Sequence, residues 1–351
     1  MNQPPENSTV CPRSVREYSK IVLAHGGGGA LTHELIEGIF APAFDNPILR
    51  QMGDSSVFEI NKTRLAFTTD SFVVKPIFFP GGDIGELAVY GTVNDLAMAG
   101  ARPLYLSAGF ILEEGFPIED LRRIVRSMGE AAAASGVSLV TGDTKVVERS
   151  SGDGIYINTS GIGVLEHEMA ISPQNVQEGD AIILSGDIGR HGIAVMAERE
   201  GLSFETTIES DCAPLAGLVL ELLGAGVDVH CLRDLTRGGL ATALVEIADA
   251  GHVNMQVEEG RIPVGKEIQG ACEILGFDPL YVANEGRFVA FIKSGHTEKA
   301  LTILKGNPLS RNASIIGKVT APEEGQVFMN TLIGTARVLN MLSGEQMPRI
   351  C

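Results

Sequence analysis

Short apolar runs that read as strands alternate with helix-patterned stretches in two blocks along this chain. The blocks are separated by Ser172-Pro173-Gln174-Asn175-Val176-Gln177-Glu178-Gly179-Asp180, which carries turn residues and no apolar period. Runs of this kind are buried as sheets covered by helices, so the expected fold class is α/β, built as α+β layers. With 351 residues the chain exceeds one core of ordinary size and suits two. The divisions predicted are an N-terminal arm at 1–30, a first domain at 31–170, a second at 171–341 and a tail at 342–351. The first domain should hold strands at Val57 to Ile60, Arg64 to Thr68, Leu104 to Phe110, Ser138 to Val140 and Ile155 to Ile162. Leu121, Ile124, Val125 and Met128 fall at i, i+3, i+4 and i+7, the face of a helix that Gly136 ends. In the second, Ala181 to Ser185 reads as a buried strand and His191 to Arg199 as a helix, and Leu240, Leu244, Ile247 and Ala248 form another helical face. Gly-Asp-Ile-Gly occurs at 82–85 and again at 186–189, too short a match to establish duplication.

Charge and cysteine usage exclude several classes. A net charge of −17 with no Lys/Arg-rich stretch opposes nucleic-acid binding. The polar N-terminus lacks a signal-peptide core, and no run is long enough to cross a bilayer, so no membrane partner is expected. Five scattered cysteines without a C-x-x-C pair fit a reducing cytoplasm. Cys212, Cys231 and Cys272 lie in or beside apolar segments and read as small core residues.

The fifth cysteine differs. Cys351 is the last residue, and Leu342-Ser343-Gly344-Glu345-Gln346 before it is polar and glycine-bearing, so the thiol should sit on a flexible arm. Aspartates recur where strands are expected to stop, at Asp70, Asp83, Asp95, Asp143 and Asp234, with Asp54 in a similar setting. Each alone is more readily a cap or turn residue. Gathered in one cleft they would repel each other unless a cation sat between them, and Mg²⁺ with a nucleotide phosphate resolves that economically. Gly81-Gly82, Gly91-Thr92 and Thr236-Arg237-Gly238-Gly239 would let backbone N–H groups approach phosphates, with Lys145 and Arg237 as candidate cations. The nearest approach to a P-loop, Gly260 to Lys266, is followed by Glu267 rather than Ser or Thr and is rejected. His25 could reach a phosphate or the thiol, whereas His191, His230 and His252 read equally well as surface or helix-end residues.

Several segments carry a resemblance: His25-Gly26-Gly27-Gly28-Gly29, Thr68-Thr69-Asp70-Ser71, Gly81-Gly82-Asp83-Ile84-Gly85, Thr92-Val93-Asn94-Asp95, Thr141-Gly142-Asp143-Thr144-Lys145, Gly186-Asp187-Ile188-Gly189-Arg190-His191-Gly192, Thr236-Arg237-Gly238-Gly239, Ala283-Asn284-Glu285-Gly286 and Pro348-Arg349-Ile350-Cys351. From His25 onward the chain resembles the HypE family of hydrogenase-maturation carbamoyl dehydratases, in the PurM-like (aminoimidazole ribonucleotide synthetase) superfamily. Leu235 stands where that family more often has proline, and Tyr90 where cysteine is frequent. The resemblance implies a PurM-like two-domain fold, a homodimer through the first domain, and ATP and magnesium as cofactors. A carbamoyltransferase, HypF, would load Cys351, and a HypC–HypD complex would accept the product. The implied reaction is ATP-dependent dehydration of S-carbamoyl-Cys351 to a thiocyanate, the source of the cyanide ligands of [NiFe]-hydrogenase. Asp54, Asp70, Asp95 and Asp234 would hold magnesium, with Asp143 a further candidate. Asp83, Thr92, Asn94, Asp143, Lys145 and Arg237 would bind the nucleotide, and Glu285 would act as base with His25 as helper. Rival readings are a selenophosphate synthetase-like or thiamine-monophosphate-kinase-like enzyme, or a non-catalytic nucleotide-gated carrier.

Overall fold

The computed structural model describes residues 18–51, 53–202, 207–321, 325–344, 347 and 349–351. The expected arm therefore lies largely outside the described residues. Its described end is not without regular structure, because Leu23–Gly26 forms a 3-10 turn and a helix begins at Ala30.

That helix, α1 (Ala30–Leu35), runs through a π-helical turn into α2 (Ala41–Phe44). There follow β1 (Ser56–Ile60), β2 (Thr63–Phe72), the short β3 (Phe78–Phe79) and β4 (Gly82–Asp83), α3 (Ile84–Met98), β5 (Arg102–Glu113), α4 (Ile118–Ala134), β6 (Ser138–Val147) and β7 (Ile155–Val164). Five of these strands form a sheet in the order β1-β2-β7-β5-β6, antiparallel except where α4 carries the chain from β5 to a parallel β6. Asn61 and Lys62, both at positive φ (51° and 67°), turn β1 into β2 with the twist a two-residue hairpin needs. On α4 the apolar stripe is narrower than its spacing suggests: Ile124 and Met128 are buried but Val125 is exposed. Nearly all of β6 is exposed, with Leu139, Val140 and Val146 open to solvent.

The second half contains β8 (Ala181–Leu184), α5 (Arg190–Glu200), α6 (Ala216–Gly224), β9 (Val229–Asp234), α7 (Gly239–Gly251), β10 (Met255–Glu258), α8 (Lys266–Leu275), β11 (Phe288–Ile292), α9 (Thr297–Gly306), β12 (Ser314–Val319), β13 (Val327–Asn330) and β14 (Ala336–Leu339). Its sheet runs β14-β13-β10-β12-β8-β11-β9. All of β8 and β11 is buried because helices cover both faces. Ile183 and Ala290 belong to the core that includes α6 and α9, while Ile182, Leu184, Val289 and Phe291 join Leu240, Leu244 and Ile247 of α7. A strand with two dry faces gains by being apolar at every position, hence the unbroken run Ala181-Ile182-Ile183-Leu184. Among the described residues no helix is long and apolar enough to cross a membrane.

Between the two halves lies α3, which packs on β2, β7 and α4 from one side and on α6 and β9 from the other. Twelve of its fifteen residues are buried, so it has no polar face for a sequence pattern to reveal. This corrects several expectations. Gly91, Thr92, Asn94 and Asp95 are interior helix residues, not loop residues. A Cβ at Gly91 would stand 2.8 Å from the Phe72 ring, so the glycine admits that ring rather than a phosphate. Asp83 caps α3, accepting from Gly85 N at 2.7 Å and Glu86 N at 3.2 Å. Thr92 donates to Thr159 Oγ1, whose own hydroxyl donates to Ala88 O. Asn94 donates to Ala213 O (3.0 Å) and Glu285 O (3.2 Å) and accepts from Leu215 N (2.8 Å), pinning the halves together. The side chains of Thr92 and Asn94 are buried and engaged within the protein, and Asp83 Oδ1 is taken up by the cap and by Ser127. Asp70 and Asp143 lie within β2 and β6 rather than at strand ends; Asp234 does end β9.

Replacing Asn94 by Ala would leave three buried backbone groups without their partner. The expected loss is about 3 kcal/mol of unfolding free energy, measured by urea denaturation. A loss below about 1 kcal/mol would show that the pin is dispensable.

Candidate active site

Four of the aspartates do meet. Along β2 the period of two puts Thr68 and Phe72 on the inward face with Asp70 between them in sequence register, and Asp95 projects from α3 toward the same strand. Thr68 Oγ1 lies 2.8 Å from Asp95 Oδ2 and 3.0 Å from Asp54 O, and Ser55 Oγ donates to Asp95 O at 2.6 Å. From the other half, Arg233 Nε reaches Asp54 Oδ1 at 3.0 Å while Arg233 Nη1 pairs with Glu246 of α7, also at 3.0 Å. The Asp234 amide donates to the Asp54 carboxylate, which closes the ring across the domain seam.

Burial is the main cause that raises all four carboxyls. Asp95 is pushed well above the ordinary range, with Asp234, Asp70 and Asp54 adding to the effect. Asp234 is pushed up to about 8 by burial and by Asp54 and Asp70, against Arg233. Asp54 is pushed up to about 6, with Arg233 opposing, and Asp70 is raised with Arg237 opposing. Asp54 Oδ2 is buried without a hydrogen-bond partner. Repelling carboxyls with an orphaned oxygen fit a hard divalent cation such as magnesium. No three such groups among the described residues converge tightly enough to hold one unaided, which suits an ion that completes its shell with phosphate oxygens and water.

The end of the chain is docked against this cluster rather than projecting as a free arm. Burial pushes the Cys351 thiol far up, Glu285, Asp70 and Asp234 push it further, and Arg237 opposes them. The same neighbours act on Glu285, raised well above the ordinary range by burial, Asp234, Asp211 and Asp70; its Oε1 is buried and unpartnered. Beside Cys351 opens a cavity of about 480 Å³ that also touches Gly26, Gly27, Ser71, Arg237 and Ala283. That is in the range of small-molecule sites. The glycine run before α1 serves Arg237: a Cβ on Gly28 would stand 2.5 Å from Arg237 Cβ, and Arg237 Nη1 donates to Gly26 O at 3.1 Å.

Other expected residues are elsewhere. Asp143 and Lys145 form an exposed ion pair on the sheet edge, where the ammonium holds the Asp143 carboxyl below its usual range. His25 closes its own turn, its Nδ1 accepting from Val22 N at 3.0 Å, and is not among the residues around the cavity, so the structure does not support it as a helper. His191, read as surface or helix-end, is fully buried and bonds the tail, and His230 is buried on Asp180. Arg233, Asp211 and Glu246 were not anticipated. Only Arg233 carried a signal, standing beside Asp234 in Leu232-Arg233-Asp234.

Both halves of the chain match known protein families. The N-terminal domain of AIR synthase related proteins matches residues 52–165, and the C-terminal domain of the same proteins matches 177–330. The carbamoyl dehydratase HypE of Azotobacter vinelandii is 51% identical over 331 residues, 94% of this chain and 97% of that protein. A solved HypE–HypF complex superimposes at a TM-score of 0.83 and 50% identity, covering 88% of this chain and 99% of that one. HypE solved in complex with ATP superimposes at 0.80 and 46% identity, covering 95% and 100%.

The raised carboxyls fix a pH dependence. Their folded values lie above the ordinary 3.8, so the folded state holds protons that the unfolded chain releases. The stability this confers is complete below pH 3.8 and is lost as pH rises through about 6 and about 8. Mg²⁺ with a non-hydrolysable ATP analogue should therefore raise the melting temperature more at pH 8 than at pH 6, read by scanning fluorimetry. Asp234→Asn should flatten that difference. Equal shifts at both pH values would remove the cluster as the cation site.

Proposed function

The chain belongs to the HypE family of carbamoyl dehydratases, and we propose that the group it dehydrates is carried on its own terminal thiol. The observation that supports this most is the docking of Cys351 among Glu285, Arg237, Asp70 and Asp234, beside a cavity of nucleotide size. The substrate is Cys351-S-C(=O)-NH₂. Its carbonyl oxygen attacks the γ-phosphorus of ATP and ADP leaves. The C–O bond then breaks as nitrogen gives up its two hydrogens as protons. Oxygen departs in phosphate, and Cys351-S-C≡N remains.

Residue roles follow from position. Arg237 neutralises the oxygen and phosphate charge next to the thiol. Glu285 takes a nitrogen proton through its unpartnered Oε1, and the neighbouring carboxyls that disfavour its charged form lose that influence when they are neutralised. Magnesium held by Asp54, Asp70, Asp95 and Asp234 would supply the charge that binds the phosphates. Catalysis here is chiefly positioning and charge compensation.

Loading requires a thiolate, which the acidic pocket disfavours, so Cys351 meets its carbamoyltransferase, a HypF, with the tail out of the pocket. A HypC–HypD complex takes the cyanide. The setting is a reducing cytoplasm, in keeping with four free cysteines among the described residues. A second copy of the chain pairs across the first sheet, whose edge strand β6 offers an open backbone and the exposed apolar side chains of Leu139, Val140 and Val146. That pairing is where the exposed Asp143 and Lys145 would come into use.

The test is mass spectrometry of the C-terminal peptide after incubation with the transferase, carbamoyl phosphate and Mg-ATP. A carbamoyl mass on Cys351 should appear and lose one water only when ATP is hydrolysed, and Cys351→Ala should show neither. Glu285→Gln should still be loaded but dehydrate about 10²- to 10⁴-fold more slowly. A carbamoyl group on another residue, or water loss without ATP, would refute the reading. For the dimer, Val140→Asp should convert a two-chain species to a single chain of 37.2 kDa in sedimentation velocity.

A further inference from the structure

The last three residues are held by their backbone. Val73 N donates to Cys351 O and Lys75 N to Arg349 O, both at 3.1 Å, so Arg349–Cys351 lies antiparallel to Val73–Lys75 like an added strand. The intervening carbonyl of Ile350 faces the other way and meets His191 Nε2 at 2.9 Å. Arg199 ties the two segments, donating from Nε to Lys75 O and from Nη2 to Arg349 O, each at 2.7 Å. A carbonyl oxygen only accepts, so His191 carries its proton on Nε2. Ser210 Oγ, which accepts from Cys212 N at 3.1 Å, then turns its hydrogen to His191 Nδ1 at 2.9 Å. The ring is fully buried and stands edge-on to Phe79 with centroids 5.4 Å apart, fixing its orientation from both ends.

We propose that His191, seconded by Arg199, is a positioning residue that clamps the tail backbone so that the group on Cys351 Sγ is presented to Glu285 and the nucleotide. The clamp binds main-chain carbonyls only. It therefore accepts the terminal residue equally as free thiol, thiocarbamate or thiocyanate, and the pocket beyond it distinguishes those three. The positioning half of this inference rests on the proposed dehydration; the clamping half does not.

Three variants of the full chain test it: His191→Phe, which has no donor; His191→Gln, whose amide N–H can still donate; and Arg199→Ala at a half-buried site that tolerates truncation. The first readout is maleimide labelling of Cys351, followed in the C-terminal peptide without ATP. Loss of one hydrogen bond should speed labelling about three- to tenfold in the Phe and Ala variants, with the Gln variant within about twofold of the natural chain. The second is the rate of water loss from pre-carbamoylated chain, which should fall by a similar factor in those two variants with the KM for ATP unchanged. A merely structural role would not move labelling up and dehydration down together and spare the Gln variant. Unchanged labelling in both the Phe and Ala variants, or a Gln variant as exposed as Phe, overturns the clamp. Faster labelling with undiminished dehydration overturns the positioning. If the natural chain never loses water, the dehydratase reading fails while the labelling arm still decides the clamp.

Discussion

Four carboxyl groups gathered at one largely dehydrated seam are the constraint around which the rest of this molecule is arranged. Asp54 and Asp70 come from the first sheet and its entry loop, Asp95 from α3 and Asp234 from the end of β9, so neither half of the chain owns the cluster. Burying like charges together is unfavourable, and the surroundings offset only part of it. Arg233 sits between Asp54 and Glu246, and Arg237 opposes Asp70. The remainder of the charge is what a bound cation would offset. A site that bound its ion with a complete protein cage would gain little from the phosphates; an incomplete one couples ion binding to the nucleotide.

The same field governs the thiol. A thiolate in this pocket would face Glu285, Asp70 and Asp234 with only Arg237 in its favour, and burial works against it as well. A neutral thiocarbamate meets no such opposition. On the proposed reading the pocket is poorly suited to making the carbamoyl adduct and well suited to receiving it, which would separate loading from dehydration by electrostatics.

How much of this was legible depended on whether a residue's role is local. The two-sided burial of β8 and β11 is written in unbroken apolar runs, and the end of α4 in Gly136. Asp234 was readable because a strand does end there. By contrast α3 is packed on all sides, so its sequence has no amphipathic period that would reveal Thr92, Asn94 and Asp95 as helical. Asp83 is the local case: a short polar side chain ahead of an apolar helix is a cap by default, and here it is one. His191 was missed because its partner, the Ile350 carbonyl, lies 159 residues away, and no local pattern encodes a contact at that separation.

Asn94 and His191 make a connected case for why the chain's polar core is laid out as it is. Asn94 joins α3 to the backbone at Ala213, Leu215 and Glu285, while His191 joins α5 through Ser210 to the same 210–215 segment and onward to the tail. Asp211, between them, meets the amides of Glu285 and Gly286 at 3.3 Å. Glu285, the seam and the tail dock are therefore braced by one short stretch of chain rather than by three separate supports. Such a brace fixes the backbone of Glu285 relative to the dock that receives Cys351. On the proposed reading, that frame would hold the site's own groups in place while the chain end enters and leaves.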